Sequence, residues 1–174
     1  MFIRIASEND LKEIMEIYAI ARENMRKCGN PDQWKTNYPA KEDILSDIGE
    51  GACHVLIEND EIVAVFYFKI GDDADYGKIY EGEWKNTLPY AVIHRIAVKY
   101  QGRGLVKICF DECYAKHPNL KIDTHKDNIP MQKALTKYGF EYCGKIHIKS
   151  GDERLAFQRS EIGAESLRIQ SKRK

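Results

Sequence analysis

The chain has 174 residues, of which 43% are hydrophobic and 31% are charged, as is usual for one soluble globular domain with a hydrophobic core. Lysine and arginine together number 27, as do aspartate and glutamate, so no net field favours nucleic acid or an anionic membrane. No apolar run approaches the roughly 18 residues that span a bilayer, and the N-terminus has no signal-peptide layout. We therefore expect a cytoplasmic protein that binds neither membrane nor nucleic acid, with Lys172-Arg173-Lys174 in a solvated tail.

The cysteine pattern argues against both disulfide bonds and a metal site. The cysteines are odd in number and contain no Cys-x-x-Cys pair: Cys28, Cys53, Cys109, Cys113 and Cys143. Cys109 and Cys113 share a helix face at i, i+4 spacing, but no histidine or cysteine partner stands at metal-ligand spacing. We expect reduced thiols, those two in the core, and no bound metal ion.

The first half of the chain predicts a strand, two helices and a hairpin. Alternation over residues 2–6 predicts a strand, and Ser7 with Asp10 predicts the cap of a helix that ends near residues 28–30. A loop over residues 31–39 separates it from a second helix over residues 41–48. Two β-rich runs, over residues 53–57 and 62–70, are joined by Glu58-Asn59-Asp60-Glu61 and predict a β-hairpin.

The second half predicts further strands and helices after a polar segment over residues 71–89, which could hold a short strand around residues 78–80. The predicted elements are a strand over residues 90–98, a helix from Leu105, a strand over 120–124, a helix over 128–138 and a hairpin of strands 145–148 and 154–157. This order predicts a single mixed α/β domain over residues 1–160, with a tail over residues 161–174.

A glycine turn carries the functional argument. The strand that ends at Val98 runs into Gln101-Gly102-Arg103-Gly104 and then directly into a helix. Glycine lets a phosphate approach the backbone, and the helix N-terminus presents free N–H groups to the same place. The sequence lacks the Gly-Lys-Ser/Thr of a P-loop, and a dinucleotide fingerprint would need a third glycine at Lys107. The alternatives are a pyrophosphate site or a bare structural turn.

Two motifs resemble the GNAT superfamily of acyl-CoA-dependent N-acetyltransferases. Its central motif, Arg/Gln-x-x-Gly-x-Gly/Ala, is matched by Gln101-Gly102-Arg103-Gly104-Leu105-Val106 except at Val106, which could crowd the packing of the helix. Downstream, Thr124-His125-Lys126-Asp127-Asn128 followed by Tyr138-Gly139-Phe140 resembles the strand, Asn, helix and Gly-Phe segment of these enzymes. The resemblance extends from Phe2 to about Gln158 in element order as well as in motifs.

This resemblance implies a fold, a donor and its contacts. The implied fold is a mostly antiparallel twisted sheet of six or seven strands with a splayed pair and about four flanking helices. The implied reaction moves an acetyl group from acetyl-CoA to a primary amine of a small molecule or peptide. Pantetheine would pair with the backbone of Ile96, Ala97 and Val98, and the diphosphate would bind N–H groups of residues 101–106. Asn128 matches a pantetheine ligand, although a helix N-cap is an equal alternative.

His94 is the favoured general base. It shares strand parity with Val92, Ile96 and Val98, and it matches a histidine of arylalkylamine N-acetyltransferases that acts through water. Imidazole can accept a proton at cellular pH, but the residue could also be a half-buried strand histidine bonded to a loop. Glu81 and Glu83 are the reserve candidates, with simple solvation as their alternative.

The general acid is missing from its usual place. Many GNAT enzymes use a tyrosine four residues before the Gly of Gly-Phe, where this chain has Leu135. Tyr138 could substitute only with a different geometry. Otherwise the thiolate leaves unassisted, takes its proton from water or uses another residue.

Aromatic and acidic residues in the predicted loops suggest a cationic acceptor. The aromatic candidates for the acceptor site are Trp34, Tyr38, Tyr80, Trp84 and Tyr90, and the acidic candidates are Asp72, Asp73, Asp75, Glu81 and Glu83. Local core packing and a solvated loop are the alternatives.

Three functions stay open: an active N-acetyltransferase, a non-catalytic acyl-CoA-binding module, and a protein that binds another phosphorylated ligand. The oligomeric state is expected to be monomer or homodimer.

Overall fold

The computed structural model describes residues 1–35 and 37–161 as a seven-stranded sheet flanked by four helices. The strand order is β1-β2-β3-β4-β5-β7-β6, and within the described residues every neighbouring pair is antiparallel except β4 and β5. The strands are β1 (Phe2–Ile5), β2 (Cys53–Glu58), β3 (Glu61–Ile70), β4 (Ala91–Val98), β5 (Asn119–Thr124), β6 (Glu141–His147) and β7 (Glu153–Ser160). The helices are α1 (Leu11–Lys27), α2 (Lys41–Gly49), α3 (Leu105–Lys116) and α4 (Ile129–Lys137). This architecture confirms the expected mixed α/β class.

Each face of the sheet carries its own hydrophobic core. On one face, α3 and α4 bury Leu105, Phe110 and Leu135 against Phe66 and Ile93. The other core is formed by α1, α2 and the strands beneath them, and its buried residues include Ile14, Ile17, Tyr18, Ile44, Val55 and Val65. The buried positions of α1 recur at helical spacing, which is why that segment forms an amphipathic helix.

Two short turns have clear local causes. The Ser7 N–H donates to Asp10 Oδ2 at 2.7 Å, so the predicted capping contact forms, but a 3-10 turn (Glu8–Asp10) precedes α1. The β2–β3 connection is shorter than predicted, because Glu58 and Glu61 already pair across the ladder. Asn59 and Asp60 both have positive φ, +49° and +62°, as a two-residue hairpin turn of type I′ requires.

Residues 71–89 are less regular than the strands they join. The strand expected around residues 78–80 is a single bridge, in which Tyr80 and Lys145 exchange two backbone hydrogen bonds of 2.8 Å. The backbones approach closely there, because a Cβ added to Gly144, whose φ is +142°, would lie 2.6 Å from the Tyr80 carbonyl oxygen. Nearby, the Lys121 Nζ of β5 lies 4.2 Å from the ring centroid of Trp84 and 3.8 Å from that of Tyr90.

Other expectations concern helices, thiols and the tail. Among the described residues no helix has the length and apolarity to cross a membrane. Cys109 and Cys113 are buried free thiols, and the described residues contain no group of side chains that could hold a metal ion. The expected tail lies outside the described residues except for Glu161, whose N–H donates to the Tyr114 hydroxyl at 3.2 Å.

Candidate active site

The two central strands of the sheet separate and leave a cleft. β4 and β5 pair only at Ala91–Leu120 and Val92–Lys121, next to the N-terminal ends of both strands. Beyond these pairs the strands diverge around a cleft of about 680 Å³, which is lined by residues 93–96 of β4 and 122–124 of β5. The β5-facing edge of β4 from Ile93 to Val98 therefore has no partner strand among the described residues.

A β-bulge in β4 decides which side chains face each side of the sheet. His94 pairs with Tyr67 and Ala97 pairs with Val65, so Arg95 and Ile96 together oppose one residue of β3. Arg95 has a φ of +50°. The expected parity of His94 with Ile96 and Val98 is wrong, because those two side chains join the core on the α3 side. The bulge interrupts the alternation and leaves His94 facing the cleft.

His94 lies between two carboxylates. Its Nε2 is 2.8 Å from Asp73 Oδ2, and its Nδ1 is 3.6 Å from Asp123 Oδ1. The hydrogen bond from the imidazole lowers the pKa of Asp73, so this residue is a carboxylate and Nε2 carries the hydrogen. The imidazole keeps 21% of its side-chain surface exposed and lines the cleft.

Both carboxylates are held by further hydrogen bonds. Asp73 Oδ1 accepts the Asp75 N–H at 2.9 Å, and the Asp73 N–H donates to the Tyr90 hydroxyl at 3.0 Å. Asp123 Oδ1 accepts the Tyr76 hydroxyl at 2.7 Å. Burial raises the pKa of Tyr76 well above its usual value, so the phenol stays protonated and donates. These contacts fix the two acceptors on either side of the imidazole.

The glycine turn at the far end of β4 is exposed to solvent. Gly102 and Gly104 have φ of +76° and +73°, and no atom beyond the adjoining residues lies within 4 Å of where their Cβ atoms would be. Residues 101–104 are exposed, and α3 begins immediately after them with no acidic side chain in its first turn. Arg103 is paired with Glu58 at 2.9 Å. Val106 packs against the core without interrupting α3, so the bulkier residue is accommodated.

Asn128 is the N-cap of α4, which was one of the two roles expected for it. Its Oδ1 accepts the Met131 N–H at 3.2 Å, and its Nδ2 donates to Gln33 Oε1 at 2.8 Å. Asn128 and Gln33 both line the cleft, so these hydrogen bonds connect the segment after α1 to the start of α4 at the cleft wall.

Several predicted site residues lie outside the cleft. Glu81 is paired with Lys145, and Glu83 is exposed. Tyr138 packs against Phe110, while the nearby Leu135 is completely buried. Tyr80 contacts His147, and Trp84 donates its indole N–H to the Tyr76 carbonyl. Tyr90 contacts the site through its hydrogen bond with Asp73 and its stacking on Tyr76. The predicted site residues that do not line the cleft include Glu81, Glu83, Tyr80, Trp84, Tyr90 and Tyr138.

Trp34 and Tyr38 do line the cleft, together with residues that the sequence did not single out. Trp34 is 7% exposed and contacts Tyr38 edge to face. The additional lining residues include Asp123, Tyr67, Arg95 and Asp47. They come from four different elements, so no local spacing in the sequence could indicate that they meet.

Comparisons with solved structures place this geometry in a known group. A GNAT-family acetyltransferase from Streptococcus agalactiae 2603 is 35% identical, covers 92% of this chain and 95% of its own, and superposes with a TM-score of 0.85. A GNAT-family acetyltransferase from Listeria monocytogenes 4b F2365 is 17% identical over 91% of this chain and 93% of its own, with a TM-score of 0.66. An aminoglycoside 6'-N-acetyltransferase from Acinetobacter haemolyticus is 15% identical over 83% and 94%, with a TM-score of 0.61. The last two likenesses show the fold alone. No family model and no curated protein matches the chain.

Three observations point to the same family: the splayed pair of strands, the glycine turn before α3 and the similarity to the streptococcal protein. The chain belongs to the GNAT family of acetyltransferases.

Proposed function

We propose that this protein transfers an acetyl group from acetyl-CoA to a primary amine of a small molecule or peptide by direct attack on the thioester. The observation that carries the proposal is the continuity of β4. Its open edge leads from the glycine turn, which suits a diphosphate, to His94 in the cleft. One strand thus joins an anion site to a proton acceptor.

The donor side of the proposal rests on backbone groups. N–H groups of residues 101–106 would hold the diphosphate, because the turn is exposed and the helix dipole favours negative charge there. Pantetheine would pair with the open edge at Ile96, Ala97 and Val98. A main-chain N–H near Ala97 or Val98 would donate to the thioester oxygen as negative charge develops on it.

The amine side rests on His94. A primary amine must lose a proton before it can attack, because its protonated form has no lone pair. The nitrogen first loses a proton to the imidazole, directly or through water. It then bonds to the carbonyl carbon and the carbon–sulfur bond breaks, while the second nitrogen proton passes to water or to the leaving thiolate. Asp73 and Asp123 would stabilise the resulting imidazolium, since both carboxylates lie beside the ring.

The charge of the cleft supports a cationic acceptor. Seven carboxylate residues line it against four lysines and arginines. Two of the seven, Asp73 and Asp123, flank His94, while Asp75 is close to Asp73. The rings of Trp34, Tyr38 and Tyr67 offer flat surfaces on which an alkyl or aromatic amine could pack.

A second candidate function is a non-catalytic acyl-CoA-binding protein. Leu135 is completely buried and Tyr138 packs against Phe110, so neither supplies a phenol to the cleft. In the enzymatic proposal the thiolate therefore leaves without a tyrosine on α4 and takes its proton from water or another group. In the second candidate, the absence of this tyrosine means that the protein binds the acyl donor but does not catalyse the transfer.

The donor proposal is tested by thermal unfolding with and without acetyl-CoA. The wild-type melting temperature should rise with ligand concentration, and Gly104→Glu should abolish the rise because a carboxylate would repel the diphosphate. Gly29→Glu is the matched control: Gly29 has a φ of +81°, is exposed and lies outside the cleft. Strain should lower the melting temperature of both variants, but only Gly29→Glu should keep the ligand response. An unchanged wild-type melting temperature at saturating acetyl-CoA would overturn the proposal.

Turnover separates the enzyme from the binding protein. Release of CoA is measured with tyramine, putrescine and a lysine-containing peptide as acceptor probes, for wild type and His94→Ala. Turnover that requires His94 supports the enzyme, whereas acetyl-CoA binding without turnover of any probe favours the second candidate. If free CoA fails to compete for the site, the turn binds another phosphorylated ligand.

A further inference from the structure

Arg95 has an unusual backbone conformation in the middle of β4. Its φ is +50°, in the left-handed region that a long L side chain rarely adopts. The residue lies in the bulge, between His94 on one side and the open edge of Ile96–Val98 on the other. A strained conformation of this kind persists only where the surrounding structure holds it.

Contacts from both helices on that face hold Arg95 in place. The guanidinium donates to Asp47 of α2 through two hydrogen bonds, Nη2 to Oδ1 at 2.6 Å and Nε to Oδ2 at 3.0 Å. The Tyr18 hydroxyl of α1 donates to the Arg95 main-chain carbonyl at 2.9 Å. Tyr18 is 1% exposed and Asp47 is 5% exposed. We call these contacts among Tyr18, Asp47 and Arg95 the Arg95 anchor.

We propose that Arg95 is a positioning residue: the Arg95 anchor fixes the β4 bulge and so aligns His94 with the open backbone edge of Ile96–Val98. The proposal rests on the proposed function, because it assigns these two parts of β4 to the amine and the donor. It adds a role for two helix residues that contact Arg95 directly, Tyr18 at its main-chain carbonyl and Asp47 at its guanidinium.

The geometry favours this role over that of a plain ion pair. An arginine–aspartate pair between a strand and a helix needs no left-handed backbone, yet Arg95 has one. The Tyr18 hydroxyl also contacts the main chain of the strained residue rather than its side chain. The anchor therefore acts on the backbone of the bulge. A shift in that backbone would change the relation between His94 and Ala97, which face the same side of the sheet only because of the bulge.

The sharpest test compares Arg95→Gly with Arg95→Ala. Both remove the guanidinium, but only glycine adopts a positive φ without strain. We expect turnover at saturating acetyl-CoA and amine to fall about tenfold in Arg95→Ala and clearly less in Arg95→Gly. Tyr18→Phe, which removes one hydroxyl, should lower kcat a few fold. Asp47→Asn should act in the same direction, and CoA affinity measured by calorimetry should stay unchanged in all four variants.

Hydrogen exchange gives a readout that does not depend on turnover. Mass spectrometry of the free protein should show faster exchange in the β4 peptide of Arg95→Ala than in Arg95→Gly. Arg4→Ala is the matched control, since Arg4 makes a two-bond pair with Asp10 at 2.7 and 2.8 Å far along the chain from the bulge. This control should leave both kcat and β4 exchange unchanged.

The outcomes separate the anchor from the proposed function. If wild type turns over no probe amine, the proposed function fails, and the exchange experiment still decides whether the anchor fixes the bulge. If wild type is active but Arg95→Ala equals or exceeds Arg95→Gly in kcat, the backbone argument is overturned. A rise in KM for the amine with unchanged kcat would overturn it too, because it would make Arg95 a substrate contact.

Discussion

The hydrogen bond between His94 and Asp73 leads to a quantitative prediction. Asp73→Asn keeps the size of the side chain but removes the charge beside Nε2, which now lies 2.8 Å from a carboxylate oxygen. A hydrogen bond to a charged group contributes about 1.5–3 kcal/mol. The lower end applies here, because the His94 and Asp73 side chains keep 21% and 23% of their surface exposed. That figure corresponds to a loss of about tenfold in kcat.

The assay is CoA release with the best acceptor from the amine panel. His94→Ala should lower kcat by about a hundredfold or more, as expected for loss of a general base. The double variant, Asp73→Asn with His94→Ala, should be no slower than His94→Ala alone, because Asp73 acts through the imidazole. Asp60→Asn is the control, since Asp60 lies in the β2–β3 turn, outside the cleft. If Asp73→Asn costs tenfold again in the absence of His94, the two residues act independently and the reasoning is refuted.

Two further predictions concern stability. Burial lowers the pKa of Lys121 to about 8, so the penalty for its buried charge is complete below pH 8 and disappears as pH rises towards about 10.4, where the unfolded chain also loses the proton. Lys121→Met should therefore be more stable than wild type at pH 7, by on the order of 1–2 kcal/mol after screening. Urea titrations should show this difference in stability closing between pH 8 and 10. A difference independent of pH would contradict the idea that the buried charge of Lys121 causes it. Gly144→Ala should cost about 2–3 kcal/mol in the same titrations because of its φ and the Tyr80 carbonyl, whereas Gly49→Ala in α2, with open space around it, should be neutral or stabilising.

Much of the fold could be predicted because its signals are local. The periodicity of α1, the Asn59-Asp60 turn and the glycine turn each depend on residues that are adjacent in sequence. The order of these elements, compared with a known family, then gave the sheet and its splayed strands. Asn128 was also interpretable, because a helix N-cap is a local contact.

The acceptor side of the cleft could be predicted only in part: Trp34, Tyr38, Asp73 and Asp75 were candidates and line the cleft, but the grouping of two carboxylates around His94 was not predicted. Asp73 and Asp123 reach His94 from positions 21 and 29 residues away, and nothing in their neighbourhoods distinguishes them from surface carboxylates. The bulge at Arg95 has no glycine or asparagine to indicate a positive φ, since its conformation is maintained by Tyr18 and Asp47. The prediction that His94 faces the same side of β4 as Ile96 and Val98 was wrong for that reason. Trp84 packs in a local core with Tyr76, which confirms the alternative of local core packing for this candidate.

Only two residue pairs join β4 to β5 among the described residues, so the sheet consists of two parts that meet at this junction. Strands β1–β4 form one run of antiparallel neighbours and β5–β7 form another, and α3 packs across the junction between them. A molecule that paired with the open edge of β4 would add hydrogen bonds at the junction that has the fewest residue pairs among the described strands. Occupancy would then govern how cooperatively the two parts unfold, as well as how stable they are. A donor bound as proposed would thus complete the sheet at this junction.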